Sequence, residues 1–546
     1  MQLIDQHTKK IMEGCKERAL DAGLKFDKES LEYIVTNMDM LELSPKNMIP
    51  TLYDYWLQDI QVLHGKGEYE VFPHNPYETV INTRPAISFY NDNNPDWLNV
   101  MIFYHVIAHI DFFQNNKFFE RTWNYDFKEK ALTEKRIMAK LRAKHGRKAD
   151  YTMEFARGID NLVGYFDDIA INDKTDPFSL SDKADYYFNV FLPEVKKTGQ
   201  KEFLNTISEF NKFTEVSGGE EKYFKDLINK SPEFEDLFHK HRVQKSKSGK
   251  RDLMEFIASE SKKLNTPENS WKKTVLGIVR DTSLYFSPQI RTKTMNEGWA
   301  SYWHEKLFMA DDRIKGHEVA FARINAKVTS LSKVGLNPYA IGWRLFMYVE
   351  EMVEKGKLSL EFNRLKDSEK RNNYEKITGK GRDFIFFLRE NYCDFTFLNS
   401  FIDQDFVDKY KLMVVGQRIN QKKNVKEYYV KSRRAKDYKN MVLESLYHPP
   451  SIKFEVGESG ELLLNHVFEG KELYRDYIQN TLIGIEYLWG EKVILNTQEV
   501  DWEKMQKRYQ ELSKTDNVNP EEIEPVFEKV KYTVKDKKVI REKAGT

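Results

Sequence analysis

The most apolar stretch of the chain, residues 103–116, carries two histidines at a spacing of four residues. On an α-helix, that spacing turns the chain through about 400°, so His105 and His109 share one face and lie one turn apart. One helix commonly offers two imidazoles to a metal ion in this way. In the metalloprotease motif HExxH a glutamate follows the first histidine and acts as general base, but here Val106 holds that position. The stretch therefore predicts a buried metal-binding helix that lacks the usual base.

Charge and cysteine content narrow the class of protein. The 86 basic and 85 acidic residues nearly cancel, so net charge indicates neither a nucleic-acid partner nor a membrane surface. Two cysteines, Cys15 and Cys393, are too few for a disulfide framework and indicate a reducing compartment. The N-terminus resembles no signal peptide, and the apolar run falls short of the roughly 18 residues that a membrane span needs. We expect a cytoplasmic protein with no membrane span.

Hydrophobic periodicity predicts the fold class. Apolar residues recur at helical spacing in residues 1–64 and again from 271 to about 410. Residues 68–90 are rich in β-branched and aromatic residues, which predicts two or three short strands, and Pro85 favours an edge position or a bulged start for the last one. We predict a mainly α fold with a small β-sheet before the HxxxH helix. This is a zincin-like layout, in which an edge strand pairs with an extended substrate above the metal-binding helix.

Changes in composition predict the domain boundaries. Residues 1–410 form a predominantly helical core, within which residues 171–270, rich in lysine, glutamate and serine, form a variable insertion. Residues 128–148 form a basic helix, whose charges we expect to face solvent because no stacking aromatics are interleaved. Alternating patterns predict a small α+β module at 411–515, and we expect residues 516–546 to form a peripheral tail.

A second motif, residues 295–305, offers partners for the two histidines. Glu297 and His304 fall on one face of the predicted helix, and Asn296 is predicted to cap its N-terminus. Two imidazoles with a carboxylate from a second helix are a recurrent zinc set that leaves one position for water. We predict that the chain binds one zinc or other divalent transition metal. The predicted ligands are His105, His109, Glu297 and, as a fourth ligand or a donor to the transition state, His304.

A metal-bound water would still need a carboxylate to move its proton, and Val106 cannot supply one. The candidates are Glu154, Asp111 and Glu78, with Glu154 as the catalytic prediction, although spacing alone places none of them. Polar residues of the strand and helix motifs are predicted to bind substrate; these are Glu78, Asn82, Asp111, Asn115 and Asn116. The alternative is that the two histidines form a hydrogen-bonded pair in the core and bind no metal.

Separated motifs, in order along the chain, resemble the SpoVR family, the stage V sporulation protein R proteins of bacteria. Residues 77–89 are similar to the family's YEIVINxxPxIAY segment, and residues 105–116 are similar to HVYGHxDFFKNN. Residues 285–304 resemble YFxPQxxTxxMNEGWAxxWH, and residues 337–342 resemble NPYALGF. Residues 397–402 match a DESFIxQFL-like run more loosely. The chain is identified as a divergent member because it departs from these patterns at Ala108, Gln114, Phe395 and Ser400.

The resemblance implies a link to formation of the spore cortex, the peptidoglycan layer, although members also occur in bacteria that make no spores. It thus favours a peptide or amide bond as the substrate of the predicted hydrolase. Some helical zinc peptidases supply their third ligand from an EGWA-like helix, which supports Glu297. The alternative is a non-enzymatic regulator or scaffold. Because SpoVR-like proteins are commonly found alongside a serine protein kinase, the resemblance implies such a kinase as its partner.

Overall fold

The fold is given by a computed structural model of the chain, which divides into two compact units, residues 1–167 with 252–546, and residues 168–251. The structure describes residues 2–36, 39, 78–122, 127–163, 182–187, 191–192, 195–196, 206, 209–210, 213, 219–238, 252–331, 336–359, 362, 365, 368–420, 425–446, 448–512 and 525–543. The helices predicted between residues 40 and 64, and any strand at 68–77, lie outside these residues.

Most of the described chain is helical. In chain order the helices are α1 (Gln6–Asp21), α2 (Asp96–Asn115), α3 (Phe127–His145), α4 (Arg147–Arg157), α5 (Asp182–Tyr186), α6 (Gly219–Lys230), α7 (Leu253–Glu260), α8 (Ser270–Arg291), α9 (Lys293–Met309), α10 (Glu318–Val328), α11 (Pro338–Glu354), α12 (Ser368–Asn372), α13 (Gly381–Asn391), α14 (Asp394–Phe401), α15 (Gln404–Lys409), α16 (Ala435–Glu444), α17 (Arg475–Trp489) and α18 (Trp502–Leu512). Helices α5 and α6 belong to the smaller unit, whose described core is aromatic around the fully buried Phe234. That unit, residues 168–251, overlaps the stretch predicted as an insertion, residues 171–270, whose last part belongs to the larger unit.

The described strands form three sheets. They are β1 (Gln2–Leu3), β2 (Ser30–Val35), β3 (Glu78–Ile81), β4 (Ala86–Asn91), β5 (Val414–Asn420), β6 (Val425–Ser432), β7 (Ile452–Val456), β8 (Leu462–His466), β9 (Val493–Val500), β10 (Phe527–Lys535) and β11 (Lys538–Lys543). The first sheet has the order β1-β2-β4-β3, the C-terminal sheet has the order β11-β10-β9-β8-β7, and β5 pairs with β6 alone. Only the β2–β4 and β8–β9 pairs of these described strands are parallel. The predicted mainly α fold with a small sheet before the histidine helix is confirmed.

Helix α2 lies in the core of the larger unit. Every residue from Leu98 to Phe113 is buried, so this helix is apolar all round except for its two histidines and a few buried polar groups. It packs against α1, α9, α13 and β3. The negative charge of Asp96 in the first turn stabilises α2 through its interaction with the helix dipole. No helix among the described residues combines the length and apolarity needed to cross a membrane.

Two expectations about the first sheet are wrong. Leu31 and Tyr33 were expected in a helix but lie in β2, because the ring of Tyr33 stacks on its cross-strand partner Phe89 with centroids 5.6 Å apart. Such cross-strand packing outweighs a helical spacing of apolar residues. Pro85 predicted an edge position or a bulged start for strand β4; the edge position is wrong, because β4 lies between β2 and β3. Pro85 comes before the first residue of the strand, so its missing N–H interrupts no ladder bond.

The C-terminal sheet is joined to the helices that precede it by one hydrophobic core. Buried leucines and valines of β8, β9 and β10 pack with α17 against α3, α4, α7 and α8. The Ser261 hydroxyl, just after α7, donates to the carbonyls of Leu488 and Trp489 at 3.0 and 2.7 Å. Residues 527–543, within the expected peripheral tail, supply two strands of this sheet because Val530 and Val534 are buried in the same core.

Helices α9 and α11 cross at two glycines. A Cβ built on Gly298 would overlap the backbone of Gly342, and one built on Gly342 would overlap the Thr294 carbonyl oxygen and come within 2.8 Å of the Gly298 Cα. Any larger residue at either position would therefore push the two helices apart. Asp394 holds the start of α9 by accepting hydrogen bonds from the backbone N–H groups of Thr294 and Met295 at 2.7 and 2.8 Å.

We expect Gly342→Ala to lower the free energy of unfolding by about 1–3 kcal/mol or more, because overpacking at a rigid backbone contact forces the helices to shift. Chemical denaturation of both proteins measures the difference. Gly277→Ala is the matched control: nothing lies within 4 Å of the added Cβ, so this change should stabilise helix α8 by about 0.5–1 kcal/mol. Equal changes in the free energy of unfolding for the two variants would contradict a close contact between α9 and α11 at Gly342.

Candidate metal centre

Two buried helices bring the predicted ligands together. His105 and His109 of α2 and Glu297 of α9 each place one nitrogen or carboxylate oxygen within 4.8 Å of the others. The Glu297 Oε2 atom lies 3.9 Å from His105 Nε2 and 3.6 Å from His109 Nε2. These separations are too long for hydrogen bonds. They match two ligand atoms of a tetrahedral zinc, which lie about 3.4 Å apart when each bond is about 2.1 Å.

The hydrogen bond of His109 determines which ring nitrogen is free. Its Nδ1 lies 2.8 Å from the amide oxygen of Asn296, which accepts only. His109 therefore carries its proton on Nδ1 and turns the lone pair of Nε2 toward Glu297. Asn296 was expected to cap the helix, but α9 begins at Lys293, so this side chain is free to bond to α2.

A buried relay determines the tautomer of His105. Glu305 accepts a hydrogen bond from Asn325 Nδ2 at 3.3 Å, which leaves Asn325 Oδ1 to accept from His304 Nε2 at 3.1 Å. His304 Nδ1 is then an acceptor, and it lies 2.8 Å from His105 Nδ1. His105 thus donates from Nδ1 and keeps an unprotonated Nε2 at the cluster. Such outer partners are how proteins orient metal-binding histidines.

Burial keeps the two imidazoles of the relay, His105 and His304, uncharged. It lowers the pKa of His105 well below its usual value, with the neighbouring rings of His109 and His304 adding to the shift. It also lowers the pKa of His304 to about 4. In contrast, Glu297 Oε2 is buried and has no hydrogen-bond partner. A buried carboxylate oxygen without a partner is costly. This oxygen and the lone pairs of His105 Nε2 and His109 Nε2 together form a site suited to a cation.

Glu78, at the first residue of β3, is the second carboxylate at the cluster. Its Oε1 lies 3.9 Å from His105 Nε2, and burial, followed by the charge of Glu297, raises the pKa of Glu78 to about 8. The ring of Tyr339 stacks on His105 with centroids 6.1 Å apart, and its hydroxyl contacts Glu297. Both residues line a cavity of about 370 Å³ that also reaches His105 and His304. Of the three converging residues, His105 lines this cavity, so the cluster meets a space that a ligand can fill at His105.

Other predicted site residues lie elsewhere or serve another role. His304 is buried behind His105 and is bonded to it, so the structure places it as an outer partner of the cluster rather than among the three converging ligand atoms. Glu154, the catalytic prediction, lies on α4 with 56% of its side chain exposed and pairs with Arg157 at 3.1 Å. It does not line the cavity. The structure brings Glu78, not Glu154, to the cluster.

Asp111 and Asn115, predicted to bind substrate, tie α2 to its neighbours. Asp111 is fully buried and accepts hydrogen bonds from the backbone N–H of Lys25 at 2.7 Å and the indole of Trp299 at 2.9 Å. Burial raises the pKa of Asp111 to about 6. Asn115 donates to the Lys25 carbonyl at 2.6 Å. These bonds hold α9 and the loop after α1 against α2.

Asn82 and Asn116 are also buried in hydrogen bonds within the protein. Asn82 donates to the Thr122 hydroxyl at 2.9 Å. Asn116, just after α2, donates to the carbonyls of Arg389 and Tyr392 at 2.7 and 2.9 Å. Neither lines the cavity, and these bonds give both a role in packing. A role in binding substrate stays a prediction for both residues.

Sequence reasoning missed three residues of the site. Asn296 and Tyr339 lie in the matched motifs, but their roles depend on contacts between helices that no local spacing reveals. Asn325 lies in α10, where helical spacing predicts an ordinary polar residue. A signal in the sequence would have been that Asn325 falls between apolar residues, Phe321 and Val328, at helical spacing, which places this uncharged polar side chain on a buried face.

The geometry defines a mainly helical protein with a candidate mononuclear metal centre, in which one helix supplies two imidazoles and a second helix supplies a carboxylate. A family model described as SpoVR like protein matches residues 2–448. The chain belongs to this SpoVR family, as its motifs predicted.

A curated relative gives the second comparison. The chain is 22% identical over 339 residues to the "Uncharacterized protein YcgB" of Escherichia coli (strain K12). The matched region covers 59% of this chain and 59% of that protein, so the chain spans about three fifths of the length of its relative. No solved structure matches the chain.

We expect nitrogen-15 NMR of chelator-treated, histidine-labelled protein at neutral pH to show His105 and His109 protonated on Nδ1 and His304 protonated on Nε2. The reason is that each ring donates to one known acceptor: His109 to Asn296, His105 to His304, and His304 to Asn325. Single substitutions of each histidine by glutamine assign the signals, and the exposed His7→Gln should leave the three patterns unchanged. A His105 ring protonated on Nε2 would contradict the relay.

Proposed function

We propose that the protein is a metal-dependent hydrolase that acts on peptide or amide bonds, with the metal held by His105, His109 and Glu297. The observation that carries the proposal is the buried, unpartnered Glu297 Oε2 facing two imidazole nitrogens whose lone pairs are free. A nitrogen and oxygen set of this kind, with three protein ligands, fits zinc at a catalytic site. When bound, such a metal polarises a carbonyl and lowers the pKa of a water.

The residues around the cluster supply the remaining parts of a hydrolase. A cation bound at the cluster would oppose the burial that raises the pKa of Glu78 and would favour its ionised form. Glu78 is then the carboxylate placed to take a proton from a water and return it to the leaving amine, the role that Val106 cannot fill. Tyr339 is the hydroxyl donor nearest to the cluster among the cavity-lining residues and suits a developing oxyanion. Unlike the usual HExxH arrangement, the base comes from a strand rather than from the metal-binding helix.

The position of β3 supports a zincin-like mode of substrate binding. In the order β1-β2-β4-β3 it ends the described sheet, and Glu78 is its first residue. An extended peptide added to this edge would pass its backbone along Glu78 and toward the imidazoles. A serine protein kinase partner and a link to peptidoglycan stay predictions from the family resemblance.

We expect purified protein to contain close to one transition metal ion per chain. The His109→Ala variant should lose the metal, because the two ligands that remain would hold it only weakly. Elemental analysis after gel filtration measures the ratio. His7→Ala, at a side chain that is 69% exposed, is the matched control and should keep the metal. Wild-type protein that neither contains metal nor takes up added zinc would remove the proposal.

Glu78→Gln is expected to keep the metal and lower peptide hydrolysis by about 10²-fold or more, since the amide cannot move the proton. Mass spectrometry of a mixed peptide library measures hydrolysis, and elemental analysis measures the metal in the same samples. Glu154→Gln should change neither quantity, because Glu154 is exposed and outside the cavity. Loss of activity in Glu154→Gln alone would restore the prediction made from the sequence and refute the role of Glu78.

A further inference from the structure

The wall of the cavity beside the candidate metal centre is apolar where α2 and α10 meet. Met101 and Ile102 precede His105 by one turn of α2, and both are buried. Val328, the last residue of α10, lies at the partly exposed side of the cavity. A ligand that reaches the imidazoles therefore passes along aliphatic side chains and the Met101 thioether.

Two amides in the lining are already occupied by the protein. Asn325 is bonded to His304 and Glu305, as the relay requires. Asn337 caps α11 by accepting from the backbone N–H of Tyr339, and it donates to the Val328 and Ser330 carbonyls, both at 2.9 Å. The Asn337 amide uses both of its N–H donors within the protein, whereas Asn325 keeps one N–H beyond its bond to Glu305. Besides the imidazoles, the polar groups left for a ligand are therefore Glu78, the Tyr339 hydroxyl and this one amide N–H.

The charge of the described lining disfavours an anionic ligand. Among the described residues that line the cavity, none is lysine or arginine, and Glu78 supplies the one carboxylate. A divalent cation at the three-ligand site would be balanced in part by Glu297, and its charge would favour the ionised form of Glu78. A carboxylate or phosphate group held against the apolar wall, away from that cation, would be buried without a cationic partner among the described lining residues, which is costly.

We infer that the ligand of this cavity is an uncharged peptide segment that places an aliphatic or aromatic side chain against Met101, Ile102 and Val328. That this peptide is cleaved rests on the proposed function, whereas the preference for binding an uncharged peptide does not. At about 370 Å³ the cavity is at the small end of ligand sites and suits one or two residues rather than a folded partner. Peptides rich in free carboxylates, such as the stem peptides of peptidoglycan, do not match its chemistry.

The test uses two sets of end-capped fluorogenic peptides that share one scaffold and carry leucine, methionine and phenylalanine, or aspartate and glutamate, at the central positions. Zinc-loaded wild-type protein should cleave the apolar set at least tenfold faster. Val328→Lys places a cation in the wall and should reduce this preference at least threefold. Val319→Lys is the matched control on the same helix, at a residue that is 68% exposed, and should leave the preference unchanged.

A second measurement separates the binding preference from the chemistry. Fluorescence anisotropy of chelator-treated wild-type protein should show tighter binding of the apolar peptides than of the acidic ones. Apolar binding without cleavage of either set would overturn the hydrolase and support the ligand class. Preferred cleavage of the acidic set would overturn the ligand class and leave the hydrolase standing. Preferred binding of the acidic set without cleavage of either set would overturn both. Failure to bind or cleave either set would overturn the inference.

Discussion

The backbone contact between Gly298 and Gly342 determines where the candidate metal centre forms. Because neither residue has a side chain, α9 approaches α11 more closely than any larger residue would allow. Glu297 directly precedes this contact, so the crossing sets how far its carboxylate reaches toward α2. The hydrogen bond from Trp299 to Asp111 then joins α9 to α2 two residues further along. The geometry of the cluster thus follows from how three buried helices pack.

Burial makes the polar groups of this core interdependent. In a medium of low dielectric an unpaired polar atom is costly, so each donor must meet an acceptor and the direction of each bond determines the next. The relay from Glu305 through Asn325 and His304 ends at a defined tautomer of His105. Glu297 Oε2 is left as the unpartnered acceptor at the end of this arrangement. Together with the two free imidazole nitrogens, this oxygen forms a candidate cation site.

Prediction from the sequence succeeded where one helix carried the information. His105 and His109 lie one turn apart on any α-helix, and Glu297 joined them as expected. It failed where the partner came from another element: Glu154 was chosen as base, yet Glu78 lies at the cluster. It also failed for Leu31 and Tyr33, because cross-strand packing against β4 outweighed their helical spacing. His304 was placed on the correct face, but its bond to His105 makes it an orienting partner.

The sequence by itself determined the family, the mainly helical class with a sheet before the histidine helix, and the three side chains that converge at the candidate metal centre. These follow from local periodicity and from motif order, which act over a few residues. Only the tertiary structure decided which second carboxylate stands beside the imidazoles and which nitrogen of each ring is free. It also showed that no described residue lining the cavity is lysine or arginine. Those features depend on contacts between residues far apart in the chain, such as His105 with His304, and on the crossing of helices that sets their distances.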